Sequence, residues 1–406
     1  MVPKLRFKEF CGEWEEKKIK DFSKCYAGAT PSTKINEYWE NGNIPWMNSG
    51  EVNKARIKST ENFITELGFK KSSTKIVPPK TVIMALAGQG KTRGMVAITE
   101  IELCTNQSLA AIVTNDCVDD EYLYQYLKKE YTNLRLVSSG DGSRGGLNLK
   151  LINDYKIKLP ELPEQTKIAD FLSTVDDKIQ NQQDKITHLE NIKKGFMQKI
   201  FSRKIRFKDD GGDEFPEWED IKLGDKLIIH RGASPRPIEK YLTYDKNGLN
   251  WIKIGDVSPK TNVITKTQQK IIPEGLTKTR QVFVGDLILS NSMSFGRPYI
   301  MGINGCIHDG WLLIRDYDKN FNLKYLCYLL SSTNVLNQYK KLSAGSTVKN
   351  LNSELVKSVK IEVPCIKEQQ KIADFLSSFD EKISTERETL EHLKQLKKGL
   401  LQQMFV

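Results

Sequence analysis

The chain contains one sequence module written twice, and this repeat limits its possible folds more than any other feature. The hexapeptide KIADFL occupies residues 167–172 and returns at 371–376, which is 204 positions later. At the same offset, HLENIKKGFMQKIF (188–201) corresponds to HLKQLKKGLLQQMF (392–405). A similarity of this length at a constant offset indicates a duplicated structural unit. We therefore expect two copies of one domain plan.

Outside these segments the two copies agree only at framework positions. The polar residues between the shared Gly, Pro, Trp and Cys positions differ. A common scaffold with divergent loops favours two binding domains for different targets over a duplication that has drifted without purpose. The matched segments are GATPS (28–32) with GASPR (232–236), WMNSGEV (46–52) with WIKIGDV (251–257), and CTNQSLAAIV (104–113) with CIHDGWLLIR (306–315).

Each copy is predicted to be a mixed α/β, strand-rich globular domain followed by one long helix. Short apolar runs such as TVIMALA (81–87) and DLILS (286–290) alternate with Gly, Pro, Asn and Ser clusters, which is typical of strands joined by turns. Pro160 and Pro364 mark where each domain ends and its helix begins. The expected divisions are a globular domain over 1–160, a helix over 161–203, a second globular domain over 204–363 and a second helix over 364–406.

Both long helices carry an apolar seam with alternating spacings of four and three residues. A seam of this period requires a partner helix. Since a whole domain separates the two helices in sequence, we expect them to pair with each other as an antiparallel coiled coil with pseudo-twofold symmetry. A polar residue interrupts both seams at the same place, Gln182 and Glu386, either as a register device or as a solvent-facing slip in the heptad. The apolar seam residues are Ile168, Leu172, Val175, Ile179, Ile186 and Leu189 in the first helix, and Ile372, Leu376, Phe379, Ile383, Leu390 and Leu393 in the second.

The composition favours a polyanionic partner and argues against a disulfide framework or a zinc site. The 62 Lys and Arg residues outnumber the 51 Asp and Glu residues and give a net charge of +11. Such a surplus permits DNA binding without establishing it. The seven cysteines form no C-x-x-C pair, and the four histidines lack zinc-ligand spacing, so we expect reduced thiols and no metal. We find no apolar targeting or membrane-spanning stretch, so we expect a cytoplasmic protein.

In three features the chain resembles the specificity subunit of type I restriction-modification systems. The first is the tandem layout over the whole chain. The second is the segment P-x-x-x-EQ-x-KIADFL, which runs from Pro160 and again from Pro364 into the long helices. The third is the pair of weaker motifs inside each domain, G-x-[TS]-P and W-x-x-x-[GD].

The resemblance implies a function in DNA recognition without catalysis. In that family each globular region is a target recognition domain that binds one half of an asymmetric, two-part DNA sequence. The paired helices set the length of the spacer and dock two modification (methyltransferase) subunits, which restriction (translocase and nuclease) subunits then join. The family places S-adenosylmethionine, ATP and Mg²⁺ in those partner subunits, so this chain is expected to hold no cofactor.

Two motifs decide whether the chain has a catalytic function of its own. Residues 85–92, ALAGQGKT, meet a relaxed P-loop pattern with Ala85 in the first glycine position. A P-loop requires a helix directly after it, whereas TRGMVAITE (92–100) predicts a turn and a strand. The [ND]-P-P-[YF] motif of adenine methyltransferases is absent from the sequence. Two alternatives stay open, a stand-alone nucleotide-dependent DNA enzyme that uses ALAGQGKT and a basic coiled-coil scaffold.

The candidate DNA-binding residues are polar loop residues that differ between the copies. Arg and Lys bind guanine edges and Asn and Gln bind adenine edges, although half or more of such contacts reach phosphate or sugar. In the first domain the candidates are Thr30, Ser32, Lys34, Asn48, Gln89, Lys91, Arg93, Asn106, Gln107 and Arg144. In the second domain they are Arg231, Ser234, Arg236, Lys253, Asn291, Ser292, Arg297, Asp309 and Lys349.

Overall fold

The structure is a computed structural model, and the chain divides into two compact units. The first unit comprises Met1–Asp184 with Arg387–Val406, and the second comprises Lys185–Glu386. Each unit thus contains one globular domain and one segment of each long helix. The described residues are 2–88, 91–137, 146–257, 261–291, 296–315, 317, 319–344 and 351–405.

The first domain is built on two mixed sheets. One sheet has the strand order β2-β10-β7-β8-β4, the other has the order β5-β3-β9-β6, and β1 pairs with β11. All four residues of β7 are buried, as expected for the apolar run that contains them. The strands are β1 (Glu15–Lys18), β2 (Ser23–Ala27), β3 (Ile44–Met47), β4 (Arg56–Ile57), β5 (Asn62–Ile64), β6 (Ile76–Val77), β7 (Val82–Ala85), β8 (Val96–Thr99), β9 (Leu103–Thr105), β10 (Leu109–Thr114) and β11 (Lys156–Leu159).

Helices cover one side of these sheets, and the last of them is a long helix that continues into the second unit. The helix α2 follows strand β10 and buries three tyrosines in the core, Tyr122, Tyr124 and Tyr126. Ile168 and Leu172 of the long helix join the same core. The helices are α1 (Glu66–Lys70), α2 (Asp120–Lys129), α3 (Tyr131–Val137), α4 (Leu149–Asn153) and α5 (Leu162–Phe201).

The second domain repeats this plan. Its central sheet has the order β13-β22-β19-β20-β16, which matches the first domain strand for strand, and its other sheet has the order β14-β17-β15-β21-β18. This confirms the duplicated, mixed α/β fold. The strands are β12 (Glu219–Lys222), β13 (Ile228–Arg231), β14 (Leu242–Thr243), β15 (Leu249–Ile252), β16 (Val263–Ile264), β17 (Gln269–Ile271), β18 (Arg280–Val282), β19 (Leu287–Ser290), β20 (Pro298–Met301), β21 (Gly305–Ile307), β22 (Trp311–Arg315) and β23 (Lys360–Val363). The helices are α6 (Leu223–Lys226), α7 (Leu323–Leu330), α8 (Thr333–Ala344), α9 (Ser353–Lys357) and α10 (Ile366–Met404).

The repeated Glu-Gln dipeptide fastens the start of each long helix to its own domain. In the first unit the Gln165 side chain donates to the carbonyl of Pro160 at 2.9 Å and accepts from the backbone N–H of Asp119 at 3.0 Å. Asp119 is the N-cap of α2, so the glutamine joins the beginnings of two helices. Gln369 makes the same two bonds in the second unit, to the Pro364 carbonyl at 2.9 Å and from the Asn322 N–H at 2.9 Å.

The glutamate of the same dipeptide forms a buried ion pair in each unit. Glu164 accepts from two guanidinium nitrogens of Arg6, at 2.8 and 2.7 Å. Glu368 accepts from Arg206 at 3.1 Å and from the indole N–H of Trp218 at 3.1 Å. The segment that precedes each domain is therefore tied to the helix that follows it.

Within each unit the two helix segments run antiparallel. In the second unit Lys193 contacts Asp380 at 2.6 Å, and Lys185, which lies earlier in α5, contacts Glu386, which lies later in α10, at 2.6 Å. In the first unit α10 residues near the end of the chain pack against the beginning of α5, since Met404 and Phe405 share the core of Ile168 and Leu172. The expected antiparallel pairing is confirmed.

The apolar residues of the seam are buried or half-buried along both helices. The interrupting Glu386 forms the interhelical ion pair with Lys185, which favours a register device over a solvent-facing slip. The buried members are Ile168, Leu172, Val175, Ile186, Ile372, Leu376, Ile383 and Leu390, and the half-buried members are Ile179, Leu189, Phe379 and Leu393.

One interhelical ion pair occurs in both units but in different surroundings. Asp176 pairs with Lys397 in the first unit, and Asp380 pairs with Lys193 at the equivalent positions of the second. Only 6% of the Lys397 side chain and 17% of the Asp176 side chain are exposed, against 46% for Asp380. A second amine, Lys128, lies 3.8 Å from Asp176. Burial together with this neighbouring charge lowers the pKa of Lys397 to about 7.

We predict that Asp176→Asn destabilises the protein far more than the matched variant Asp380→Asn. Removal of the Asp176 carboxylate leaves the Lys128 and Lys397 amines without their shared counter-ion in a largely buried site, which costs about 3–5 kcal/mol. The pair at Asp380, whose carboxylate is 46% exposed, should contribute about 1 kcal/mol or less. Denaturant unfolding of the full chain measures both free energies, and equal losses for the two variants would contradict the asymmetry.

Candidate nucleic-acid interface

Several candidate DNA-binding residues lie in loops that leave one edge of the sheets together. In the first domain β3 and β9 are parallel neighbours, so the loops that follow them emerge at the same edge. Asn48 stands in the first of these loops, and Asn106 and Gln107 stand in the second. A backbone hydrogen bond of 3.1 Å from the Asn106 N–H to the Met47 carbonyl holds the two loops together.

The G-x-[TS]-P loop is packed against this edge through its glycine. A Cβ on Gly28 would lie 1.9 Å from the carbonyl oxygen of Thr105, and a Cβ on Gly232 would lie 2.1 Å from that of His308. Only glycine permits such a close approach of two backbones. The following residue secures the contact, since the Ala29 N–H donates to the Thr105 carbonyl at 2.9 Å. The motif therefore places the loop after the second strand of each domain beside the loop after β9 or β21.

A side-chain hydrogen bond closes the two loops in both domains, with a different acceptor in each. Thr30 Oγ1 donates to Gln107 Oε1 at 2.6 Å in the first domain. Ser234 Oγ donates to Asp309 Oδ1 at 2.8 Å at the equivalent positions of the second. We call this hydrogen bond, which occurs once in each domain, the loop clamp. Because one acceptor is a neutral amide and the other a carboxylate, the two domains present different charges at the same place.

In the second domain Asp309 gathers two arginines around the loop clamp. Its carboxylate lies 3.4 Å from Nη2 of Arg236, and its backbone carbonyl accepts from Nε of Arg231 at 3.3 Å. The hydrogen bond from Ser234 holds the pKa of Asp309 below its usual range, so the group is anionic at neutral pH. Both arginines are exposed, which leaves their guanidinium groups accessible to a ligand.

The remaining candidates divide by exposure. Asn291 is only 3% exposed, and its amide donates to the Asp309 carbonyl at 2.8 Å, so it supports the loop clamp from below. Arg297 lies over the Tyr299 ring at 5.3 Å from its centroid. Of the first domain's candidates, Ser32, Lys34, Lys91 and Gln107 are exposed, while Thr30, Asn48, Arg93 and Asn106 are half-buried, as are Ser234, Lys253, Arg297 and Asp309 of the second. Gln89, Arg144, Ser292 and Lys349 lie outside the described residues.

His308 has a structural role at this edge that the comparison of the two loop sequences does not predict. Its Nδ1 accepts from the Gly310 N–H at 2.7 Å, and its Nε2 faces the Ile254 N–H at 3.3 Å. Burial lowers the pKa of His308 from its ordinary value, which favours the neutral ring, and in that ring an unprotonated Nδ1 can accept from the Gly310 N–H. Asn106 holds the equivalent position, where its Oδ1 accepts from the Ser108 N–H at 3.1 Å. The alignment of an asparagine with a histidine, two residues before a tight turn, could have revealed this shared role.

The P-loop pattern lacks the structure that phosphate binding requires. The strand β7 ends at Ala85, a turn covers residues 91–94, and β8 follows, so the expected turn and strand are present where a P-loop has its helix. The Lys91 carbonyl instead accepts from the Tyr131 hydroxyl at 2.6 Å.

Among the residues that the structure describes, no three His, Cys, Asp or Glu side chains are arranged to hold a metal ion. No helix in the described part of the chain combines the length and apolarity of a membrane span.

Comparison with known proteins places these features in one family. A family model described as the type I restriction modification DNA specificity domain matches residues 12–191 and again residues 216–395. The type I restriction enzyme MjaVIII specificity subunit of Methanocaldococcus jannaschii is 27% identical over 414 residues, which cover 97% of this chain and 94% of that one. The MjaIX specificity subunit of the same organism is 33% identical over 241 residues, 56% of this chain and 55% of its own.

Solved structures agree at the level of the fold. The S subunit of a type I restriction-modification system from M. genitalium has a TM-score of 0.58 and 15% identity, and the match covers 100% of this chain and 99% of that one. A chain from a study of complex assembly and conformational transition in a type I R-M system has a TM-score of 0.61 and 18% identity, with 98% of both chains covered. With the family model matched to both halves, this chain belongs to the type I restriction-modification DNA specificity subunits, which are not themselves catalytic.

Proposed function

We propose that the two domains bind the two halves of an asymmetric, two-part DNA target and that the loop-clamp edge of each domain contacts its half-site. The observation that carries the proposal is the loop clamp, which has the same geometry in both domains but ends on Gln107 in one and on Asp309 in the other. An identical frame with different polar groups is suited to two targets of different sequence.

The first domain offers neutral amides and separate cations. Gln107 is exposed and held by Thr30, which orients its amide for the N6 and N7 edge of adenine. Lys34 and Lys91 are exposed and suit phosphate contacts. Asn48 and Asn106 bond to nearby backbone N–H groups, so their main role is to shape the loops.

The second domain offers oriented guanidinium groups. Arg236 and Arg231 are exposed, and both are held by Asp309. A guanidinium oriented by a carboxylate suits the O6 and N7 acceptors of guanine. We therefore assign a guanine-containing half-site to the second domain.

The paired helices set the length of the DNA spacer between the two half-sites, and they provide the docking surface for partner subunits. On the helices of the first unit, Phe171 is 38% exposed and Leu396 is 54% exposed, which suits contact with another protein. We assign this role to two methyltransferase subunits, which supply S-adenosylmethionine. Restriction subunits, with ATP and Mg²⁺, complete the complex.

We predict that seven residues added to both helices lengthen the tolerated DNA spacer. The insertions belong between Asp184 and Lys185 and between Glu386 and Arg387, where the two compact units meet in sequence. A heptad preserves the seam and adds about 10 Å, which is up to about three base pairs at about 3.4 Å each. Binding selection from duplexes with randomised spacer length measures the change. An insertion in one helix alone is the control and should reduce folding, while an unchanged spacer in the double insertion would refute the role of the helices.

A second prediction concerns pH and the second half-site. Protonation of His308 would add a hydrogen to Nδ1, the nitrogen that accepts from the backbone N–H of Gly310, and would abolish that hydrogen bond. Because burial lowers the folded-state pKa below the ordinary value of about 6.5, the unfolded loop binds the proton more readily. The contribution of His308 to the stability of the loop is therefore fully present above the unfolded-state pKa of about 6.5, and it is lost as the pH falls from there towards the lower folded-state pKa.

We expect wild-type affinity for the second half-site to decline between pH 7.5 and about 5.5, with the first half-site less affected. His308→Asn keeps an acceptor for the Gly310 N–H, as Asn106 does in the first domain, and should remove the acid sensitivity. Fluorescence anisotropy with duplexes mutated in one half-site at a time provides the measurement. An equal loss in wild type and variant would assign the effect to another group.

A further inference from the structure

Each domain has a cavity beside its G-x-[TS]-P loop, and the two cavities differ in size. The cavity of the first domain measures about 320 Å³ and is bounded by Trp39 and Trp46. That of the second domain measures about 770 Å³ and is bounded by Trp251, Leu242 and His308, among other residues. Trp46 and Trp251 occupy the same position on the strands β3 and β15. The cavities are therefore the same site in two forms.

The two cavities differ at one aromatic wall position. The carbonyl of Tyr38 accepts from the Thr65 N–H at 3.0 Å, and the carbonyl of Tyr241 accepts from the Ile272 N–H at 2.9 Å, so the two tyrosines are equivalent. The next residue is Trp39 in the first domain, where its ring packs edge-to-face on Trp46 with 5.0 Å between centroids. In the second domain the next residue is Leu242. The smaller side chain leaves open the space that an indole ring fills in the other copy.

The lining of the larger cavity combines flat apolar walls with polar edges. Trp251 and Ile254 supply apolar surface, and the His308 ring lies 6.2 Å from that of Trp251. Gln269 adds a side-chain amide that can donate and accept. About 770 Å³ lies well inside the range of about 300–1,000 Å³ that small-ligand sites occupy, whereas the cavity of the first domain is near its lower limit.

Two cationic side chains lie where this cavity opens to solvent. Arg236 lines it with a side chain that is 80% exposed, and Lys253 lines it as well. Ser234, a member of the loop clamp, forms part of the same wall. A planar heteroaromatic ring with hydrogen-bonding edges and an attached phosphate matches this arrangement of apolar wall, amide and cations.

We propose that the cavity of the second domain takes up a nucleobase turned out of the DNA half-site that this domain binds. The proposal rests on the proposed function, since the cavity lies on the edge assigned to DNA contact. The ring would occupy the space that Trp39 fills in the first domain, and Arg236 and Lys253 would bind the flanking phosphates. Stacking and edge contacts inside a pocket are what offset the loss of pairing when a base leaves the duplex. The first domain takes up no base, because Trp39 occupies the equivalent site.

The test uses the full chain and duplexes that contain both half-sites. Purines are replaced one at a time by 2-aminopurine, whose fluorescence rises when the base leaves the stack, and thymines are probed by permanganate oxidation. We expect a several-fold signal at one position of the second half-site and none in the first. A mismatch at that same position should tighten binding several-fold, because the pairing to be broken is already weakened.

Leu242→Trp supplies the filled form of the site as found in the first domain. This variant should lose both the signal and the gain from the mismatch while its binding of the first half-site is unchanged. Trp39→Leu is the matched variant and should leave the second half-site signal intact. The wild-type measurements decide the matter even if Leu242→Trp folds poorly.

The possible failures are distinct. If the chain discriminates the second half-site but no base gives a signal and no mismatch tightens binding, the cavity does not receive a base and the proposal is overturned. If free deoxynucleoside monophosphates saturate the site while the duplex series stays silent, the base comes from a free nucleotide and the DNA assignment is overturned. If the chain does not discriminate the second half-site at all, the proposed function itself fails.

Discussion

The buried Glu-Gln dipeptide at the start of each long helix is the interaction on which the rest of the structure depends. Glu164 and Glu368 hold the arginine of the segment that precedes the domain, and Gln165 and Gln369 hold the N-cap of a core helix. A buried charge that loses its partner costs about 3–5 kcal/mol, so the helix cannot pivot freely on its domain. The direction of each helix is thus fixed by its own domain as well as by its partner helix. This explains why the segment around KIADFL is nearly identical in the two copies although the loops are not.

The repeat predicts the architecture well because its signals are local. Residues such as Ile168 and Ile372 fall on a seam whose period depends only on nearby sequence, and the strand-rich domains follow from short apolar runs between turn residues. Lys193 and Lys397 also lie on the seam spacing, but their partners Asp380 and Asp176 are about two hundred residues away. Lys128, a residue of the domain, places a second amine beside Asp176, and no helical pattern contains that information.

The interface is harder to predict because exposure of a loop residue is a tertiary property. Asn291 has the side chain of an adenine-binding residue and yet lies 3% exposed beneath Asp309, where it satisfies a backbone carbonyl. The role of His308 is hidden from the sequence for the opposite reason, since it depends on the backbone N–H of Gly310 and on burial beside Ile254, which comes from a distant loop. The sequence predicts Thr30 and Gln107 as two separate candidate residues of the interface. Their mutual contact across 77 residues depends on the fold.

The placement of the loops by backbone contacts explains how one frame can serve two targets. Gly28 and Gly232 let the chain approach a carbonyl more closely than any side chain permits, so the loop position does not depend on the identity of its exposed residues. Gln107 can then become Asp309 while the strand order of the central sheet is kept, whereas the exchange of Trp39 for Leu242 accompanies a fifth strand, β14, in the other sheet. A substitution of an exposed loop residue therefore alters the contact with the ligand and leaves the position of the loop unchanged. A domain built in this way can diverge in what it binds while the helices that couple it to the rest of the molecule remain the same.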